Sequence, residues 1–370
     1  MRALRLPIIA AVAAIILSFA VVALVEGTAS LALFARAMRQ AHLVEEHFTE
    51  RDTLLGWINI PNASKPNLFG TGRSLTINRQ RVRHAGDLAA VAPAGKRRVI
   101  CSGDSFTLGY GVDDSKTWCA LLATNEPSLE TVNMGQAGYG IDQAYLWYVR
   151  DGLSMQPQVH LFSIINDDFR RMGVSRFGGF PKPRLAVNGA GKLTTVGVPV
   201  PGPGLGPFMV RLLSTVRTLR VFELYQAYSP GGSSGAGTGA PSQAATWDVA
   251  RAVLHDMAVR DSAVGAKFVV VYLPTIDDFK WKASDKWRES IREAAAKENY
   301  EFVDLVEDLR KVAADSVDGL FIPRGQLAFR GAAGHYTDRG NVWVEKLLRE
   351  RVAALAGSGV TDSTRAARKQ

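Results

Sequence analysis

The chain has 370 residues, 47% of them hydrophobic and 21% charged, with 35 Gly, 16 Pro and two Cys. That composition excludes wholesale disorder, a collagen repeat and a disulfide-stapled miniprotein, and the length allows one large domain with insertions or two ordinary ones. The net charge of +9 comes from scattered Lys and Arg, with a cluster at Arg365, Arg368 and Lys369; without a basic stripe interleaved with aromatics, nucleic acid is not an expected partner.

Leu6 to Val25 is an uncharged run of about twenty residues, long enough as a helix to cross the roughly 30 Å of a bilayer core. Arg2 and Arg5 precede it, Glu26 follows, and a second apolar stretch from Ala29 to Ala35 ends at Arg36 and Arg39. A cleavable signal peptide would have a shorter apolar region with a small-x-small site close behind, and Thr28-Ala29-Ser30 is a poor one. Residues 1–39 therefore read as a retained membrane anchor. Two Arg flank the span on each side, while the free amino terminus and the Glu45, Glu46, Glu50 cluster favour an N-terminus inside and the bulk of the chain outside the cytoplasm.

Residues 40–95 read as an extended, partly β juxtamembrane segment, punctuated by Gly56-Trp57 and Pro61-Asn62, with Ser74 to Ile77 alternating like a short strand. From 96 an α/β rhythm begins: a buried strand Arg98 to Cys101, a Gly-rich loop, a helix over 115–124, a strand ending at Thr131-Val132-Asn133, a helix near 141–152 and an apolar strand Val159 to Ile165. The insertion 171–245 interrupts it with a hairpin, 183–187 and 192–196 about Asn188-Gly189, a helix over 208–225 and a Gly/Ser/Ala-rich loop over 229–244. The rhythm resumes with helix 246–262, strand 268–272, helix 284–298, strand 302–304 and helix 340–355, before a basic tail over 357–370. Alternating helices and continuously apolar strands predict a parallel sheet covered on both faces, with chemistry beyond the strands' carboxyl ends. Cys101 and Cys119 read as two buried thiols, a single disulfide being the alternative in an exported domain.

The first core strand runs into Ser102-Gly103-Asp104-Ser105-Phe106-Thr107, which places a Ser hydroxyl at the sheet edge beside a helix N-terminus; the same Ser would also serve as an ordinary helix cap. Gly103-Asp104-Ser105-Phe106, continuing through Gly109-Tyr110-Gly111-Val112 and Trp118, resembles block I of the SGNH/GDSL hydrolases, closest to the anchored bacterial members. Asn133-Met134-Gly135-Gln136-Ala137-Gly138 resembles block II, and Asn166-Asp167 block III without its preceding Gly. Gly334-His335-Tyr336-Thr337 followed by Gly340-Asn341 resembles block V. The resemblance covers about 96–170 and 246–355.

The resemblance implies a flavodoxin-like three-layer α/β/α sandwich over 96–356 and serine esterase chemistry without a cofactor. Ser105 is the implied nucleophile and His335 the general base, with the Ser105 and Gly138 N–H groups and the Asn166 amide as the oxyanion hole. The family places an Asp two or three residues before this His, where this chain has Ala333 and Ala332; Asp104 and Asp338 stand as candidate supporting carboxylates, Asp338 also reading as a plain first-turn helix acid. Of the other His, His42 and His47 fall in the juxtamembrane stretch, His84 in a loop, His160 in a strand and His255 on a helix, and no His or Cys cluster has metal-ligand spacing. Gly231-Gly232-Ser233-Ser234-Gly235 and the Gly-rich run 235–239 match nucleophile-elbow and phosphate-loop patterns but lack a flanking strand and helix. The expected activity is removal or transfer of an acyl group, O-acetyl foremost, on an envelope glycan or lipid at the outer side of a bacterial inner membrane. The rival expectation is a degenerate binding protein.

Overall fold

The computed structural model describes residues 2–40, 48–177, 180–202, 242–282, 284–327 and 329–367. They divide into two units, residues 2–40 and the described residues from 48 to 367. The expected helix at 208–225, most of the low-complexity stretch 229–244, both Gly-rich pattern matches and His42 and His47 lie outside the described residues.

In the first unit, helix α1 (Arg2–Gln40) runs unbroken through Glu26. Its apolar stretch, Ile9–Ala32, is 24 residues with a mean hydropathy of 2.6 and is long enough to cross a membrane.

The second unit opens with two small antiparallel pairs, β1 (Thr49–Asp52) with β2 (Gly56–Asn59) and β3 (Ser64–Lys65) with β4 (Leu75–Thr76). Its main sheet then forms from β5 (Arg97–Gly103), β6 (Leu129–Gly135), β7 (Val159–Ile164), β12 (Lys267–Tyr272) and β13 (Glu301–Asp304). The spatial order is β13-β12-β7-β5-β6 and every pairing is parallel. Alternate strand residues feed two separate cores. Ile100, Val132, Phe162 and Val270 pack under α4 (Ile141–Trp147), α6 (Gln243–Ala263) and α8 (Asp285–Glu298). Val99, Cys101, Leu161 and Val271 pack under α3 (Trp118–Asn125) and α11 (Asp338–Ala367). With helices on both faces, the strands bury nearly every side chain, which is why they read as continuous apolar runs.

Several boundaries differ from expectation for visible reasons. The helix expected from 115 starts at Trp118, because Asp113 caps a separate 3₁₀ turn (Asp114–Lys116) and Thr117 caps α3 through the Ala120 N–H. The helix expected to run to 152 leaves α geometry at Tyr148, where a π turn covers Tyr148–Gly152. Helix α5 (Asn166–Met172) follows β7, and β8 (Arg176–Phe177) and β9 (Phe180–Pro181) pair beyond it. The hairpin β10 (Arg184–Val187) with β11 (Leu193–Val196) forms, but around a five-residue loop, because the Asn188 carboxamide accepts from the Ala190 and Lys192 N–H groups. The last helix continues past 355 to Ala367.

Cys101 and Cys119 are joined in a disulfide with their Cα atoms 6.3 Å apart, rather than standing as free thiols. The bond closes a loop of sequence separation 18 that contains Ser105. Closing such a loop is worth about 3 kcal/mol through the unfolded chain. The Cys101→Ala/Cys119→Ala double variant should lose that amount in urea unfolding, and an unchanged midpoint would show that the bridge adds nothing.

Candidate active site

Strand order decides which loops meet. Because β5 lies between β7 and β6, the residues after its carboxyl end are flanked by those after the other two. Ser105 opens the short helix α2 (Ser105–Leu108) directly after β5, Gly138 follows β6, and Asn166 opens α5 after β7. His335 reaches the same edge from a loop before α11, held by antiparallel backbone bonds: the Ile322 N–H donates to His335 O and the Gly334 N–H to Ile322 O, both at 2.8 Å.

His335 Nε2 lies 2.8 Å from Ser105 Oγ. The alternative partner, Asp104 Oδ2, is 3.5 Å from the same hydroxyl, so the imidazole holds the Ser proton by preference. An Nε2 that accepts from Ser105 places the ring proton on Nδ1, and Nδ1 has no hydrogen-bond partner among the described residues. Ring contacts hold the imidazole in place of a carboxylate: Phe106 at 4.5 Å and Tyr110 at 5.2 Å between centroids. Burial among them pulls the imidazole pKa down to about 4; the Asp104 charge opposes that, Arg171 adds to it, and the nearby Ala332 and Ala333 carbonyls nudge it back up. Those two carbonyls lie close enough to be felt electrostatically, but neither makes a well-formed hydrogen bond to Nδ1. An imidazole left neutral at pH 7 is in the state a general base requires.

The Ser105 and Gly138 N–H groups donate to no described residue, and the same is true of the Asn166 carboxamide. Gly138 has φ +71°, and a Cβ there would stand 2.5 Å from the Phe177 ring, so only Gly fits. Asn133 acts as a strut: its Nδ2 donates to Thr107 O at 2.8 Å and its Oδ1 accepts from Gly135 N–H at 2.9 Å, pinning α2 to the end of β6.

Neither candidate supporting carboxylate bonds to His335 Nδ1. Asp338 pairs with Arg73 at 3.2 Å and sits in the first turn of α11, as a helix acid. Asp104 caps α2 by accepting from the Phe106 N–H at 2.8 Å, and its other oxygen accepts from Arg171 at 2.8 Å. Arg171 escaped the sequence reading. Its guanidinium also donates to Asp168 at 2.9 Å and to Tyr139 O at 3.1 Å, linking the Ser loop, α5 and the Gly138 loop. The i, i+3 spacing of Asp168 and Arg171 was visible in sequence; the Asp104 partner, 67 residues away, was not. Burial raises the Asp168 carboxyl well above the ordinary carboxylate range, and the Asp104 charge adds to that while Arg171 opposes it.

A second Ser–His pair lies deeper. Ser102 Oγ is 2.7 Å from His160 Nε2, and His160 Nδ1 is 2.7 Å from Asp261, which also accepts from Tyr148 Oη. Its hydrogen-bond pattern fits a catalytic pair, but Ser102, His160 and Asp261 are 1%, 0% and 0% exposed. No substrate atom reaches them, so the chain of bonds serves to tie β5 and β7 to α6.

No family model and no curated protein matches the chain. Solved structures to which it is similar include a lipolytic protein of the G-D-S-L family from Desulfitobacterium hafniense, at 15% identity over 69% of this chain and 99% of that one, with a TM-score of 0.39. The lipase/acylhydrolase from Enterococcus faecalis is similar at 12% identity over 69% of this chain and 95% of that one, with a TM-score of 0.40. An acetyl xylan esterase is similar at 14% identity over 69% of this chain and 99% of that one, with a TM-score of 0.39.

Proposed function

We propose that the chain is a membrane-anchored serine esterase of SGNH type that removes or transfers an acyl group, O-acetyl foremost, on an envelope glycan or lipid outside the cytoplasm. The observation that carries this reading is the 2.8 Å Ser105–His335 contact at the carboxyl edge of the sheet, where the Ser105 and Gly138 N–H groups and the Asn166 amide have no partner among the described residues. In the proposed reaction His335 Nε2 takes the Ser105 proton as Oγ bonds to the ester carbonyl carbon. The carbonyl oxygen becomes an oxyanion facing the Ser105 and Gly138 N–H groups and the Asn166 amide. Collapse expels the alcohol, which takes the proton from His335. Water, or a sugar hydroxyl in the transferase variant, then releases the acyl group by the same steps in reverse. The disulfide supports a compartment outside the cytoplasm.

The unpartnered Nδ1 favours the rival reading, a binding protein without turnover. Fluorophosphonate labelling of the full-length chain in detergent separates the two. The native chain should label at Ser105, and Ser105→Ala and His335→Ala should not. A folded native chain that resists the probe would favour the binding protein.

A further inference from the structure

We infer that Trp57, from the segment between the membrane anchor and the sheet, is a positioning residue for the Gly138 oxyanion donor; the inference rests on the esterase reading above. Trp57 lies in β2, buried to 2% exposure, and its indole Nε1–H donates to Ala137 O at 2.9 Å. Ala137 O and the Gly138 N–H belong to one peptide unit. In a trans peptide these two groups point in opposite directions across a rigid plane. Fixing the carbonyl on the Trp57 side therefore aims the Gly138 N–H away from Trp57, and that N–H is spent on no described residue.

The plane needs such a hold. Gly138 at φ +71° carries no side chain to limit rotation about its neighbours, and the flipped peptide would offer a carbonyl where the oxyanion should sit. Two further bonds tie the same hairpin to the Gly138 loop and to α4 that follows it. Tyr139 Oη donates to Trp57 O at 2.5 Å and Gln143 Nε2 donates to Leu55 O at 2.7 Å. Phe177, whose ring closes over Gly138, stacks on the Trp57 indole at 6.4 Å. Only the indole bond acts on the Ala137–Gly138 peptide itself; the others hold the loop as a body.

The test is steady-state hydrolysis of p-nitrophenyl acetate by the full-length chain, with rates normalised to sites titrated by the fluorophosphonate and thermal melts run in parallel. Trp57→Phe keeps an aromatic ring and removes the donor. Its kcat should fall about ten- to a hundredfold, somewhat less than outright loss of one oxyanion donor, with KM within twofold. Tyr139→Phe removes a neighbouring bond without touching the peptide plane, and its kcat should stay within threefold even where its melting temperature drops as much. Should Trp57→Phe not melt cooperatively, Trp57→Met, which also lacks a donor, serves in its place with the same expected split. A Trp57 variant that keeps native kcat, or loses rate only in proportion to stability as Tyr139→Phe does, overturns the positioning role and leaves the esterase intact. A native chain that neither labels nor hydrolyses the ester overturns both.

Discussion

Arg171→Met is expected to destabilise the folded chain by about 3–5 kcal/mol, the cost of stripping one partner from a buried ion cluster. The side chain is 10% exposed and is the shared donor of two carboxylates, Asp104 at 2% and Asp168 at 3%. Met fills similar volume, so the loss would come from charge and not from a cavity. Burial holds the Asp168 carboxyl well above the ordinary carboxylate range, and loss of the Arg171 charge that opposes this would drive it higher. The sign of the pH effect follows. An acid whose folded pKa exceeds its unfolded value binds more protons when folded, so its variant gains stability as pH falls and loses it as pH rises through the folded pKa. The deficit of Arg171→Met relative to the native chain should therefore shrink as pH is lowered in urea melts. A deficit independent of pH would mean that Arg171 acts through packing, its guanidinium lying 5.3 Å from the Phe177 ring. Activity should suffer more than stability alone explains, because Asp104 orients the Phe106 N–H beside the nucleophile and Tyr139 O anchors the Gly138 loop.

What could be read from the sequence divides along a physical line. The sheet was legible because parallel strands covered on both faces are mostly apolar, and β7 is buried throughout. The candidate site was legible where a short motif meets a strand end: Ser105, Gly138 and Asn166 come to one edge because β6, β5 and β7 are neighbours, and His335 reaches it from the loop before α11. The disulfide was only an alternative, since two apolar elements give no sign of how close their Cys lie. Residues 48–95 read as an extended segment, yet Trp57, Phe69, Ile77 and Val82 are buried in the same unit as the sheet. Irregular backbone has no period from which burial can be counted, and Trp57 meets Ala137 across 80 residues. Buried charges were equally silent. Lys182 and Asp142 are both fully buried and paired at 2.5 Å, but a Lys in an insertion looks solvated until its partners are known.

The absent carboxylate before His335 should be visible in pH dependence. With the imidazole held down to about 4 chiefly by burial, kcat/KM should rise through that pH and stay level to neutrality, without the limb near 6.5 of a solvated His. Stability should move the same way. The unfolded imidazole takes up a proton below about 6.5 and the folded one does not until about 4, so the contribution of His335 is complete above 6.5 and is lost as pH falls toward 4. A neutral base is the favourable half of this arrangement. The unfavourable half comes later, when the imidazolium formed in the transition state finds no anion at Nδ1. Ala332→Asp places a carboxylate three residues before His335, at a fully buried position whose methyl group packs toward Gly111. It should lift the acidic limb toward 6–7 and raise kcat at pH 7 by at least tenfold, given that loss of the orienting Asp from a serine triad costs about 10⁴. Both effects must appear together, since both come from one charge stabilising one imidazolium. A limb that moves without a gain in rate would place the limiting barrier elsewhere, in the oxyanion or in acyl release. A native limb already at 6.5 would mean that water reaches Nδ1 and does the work of the missing Asp.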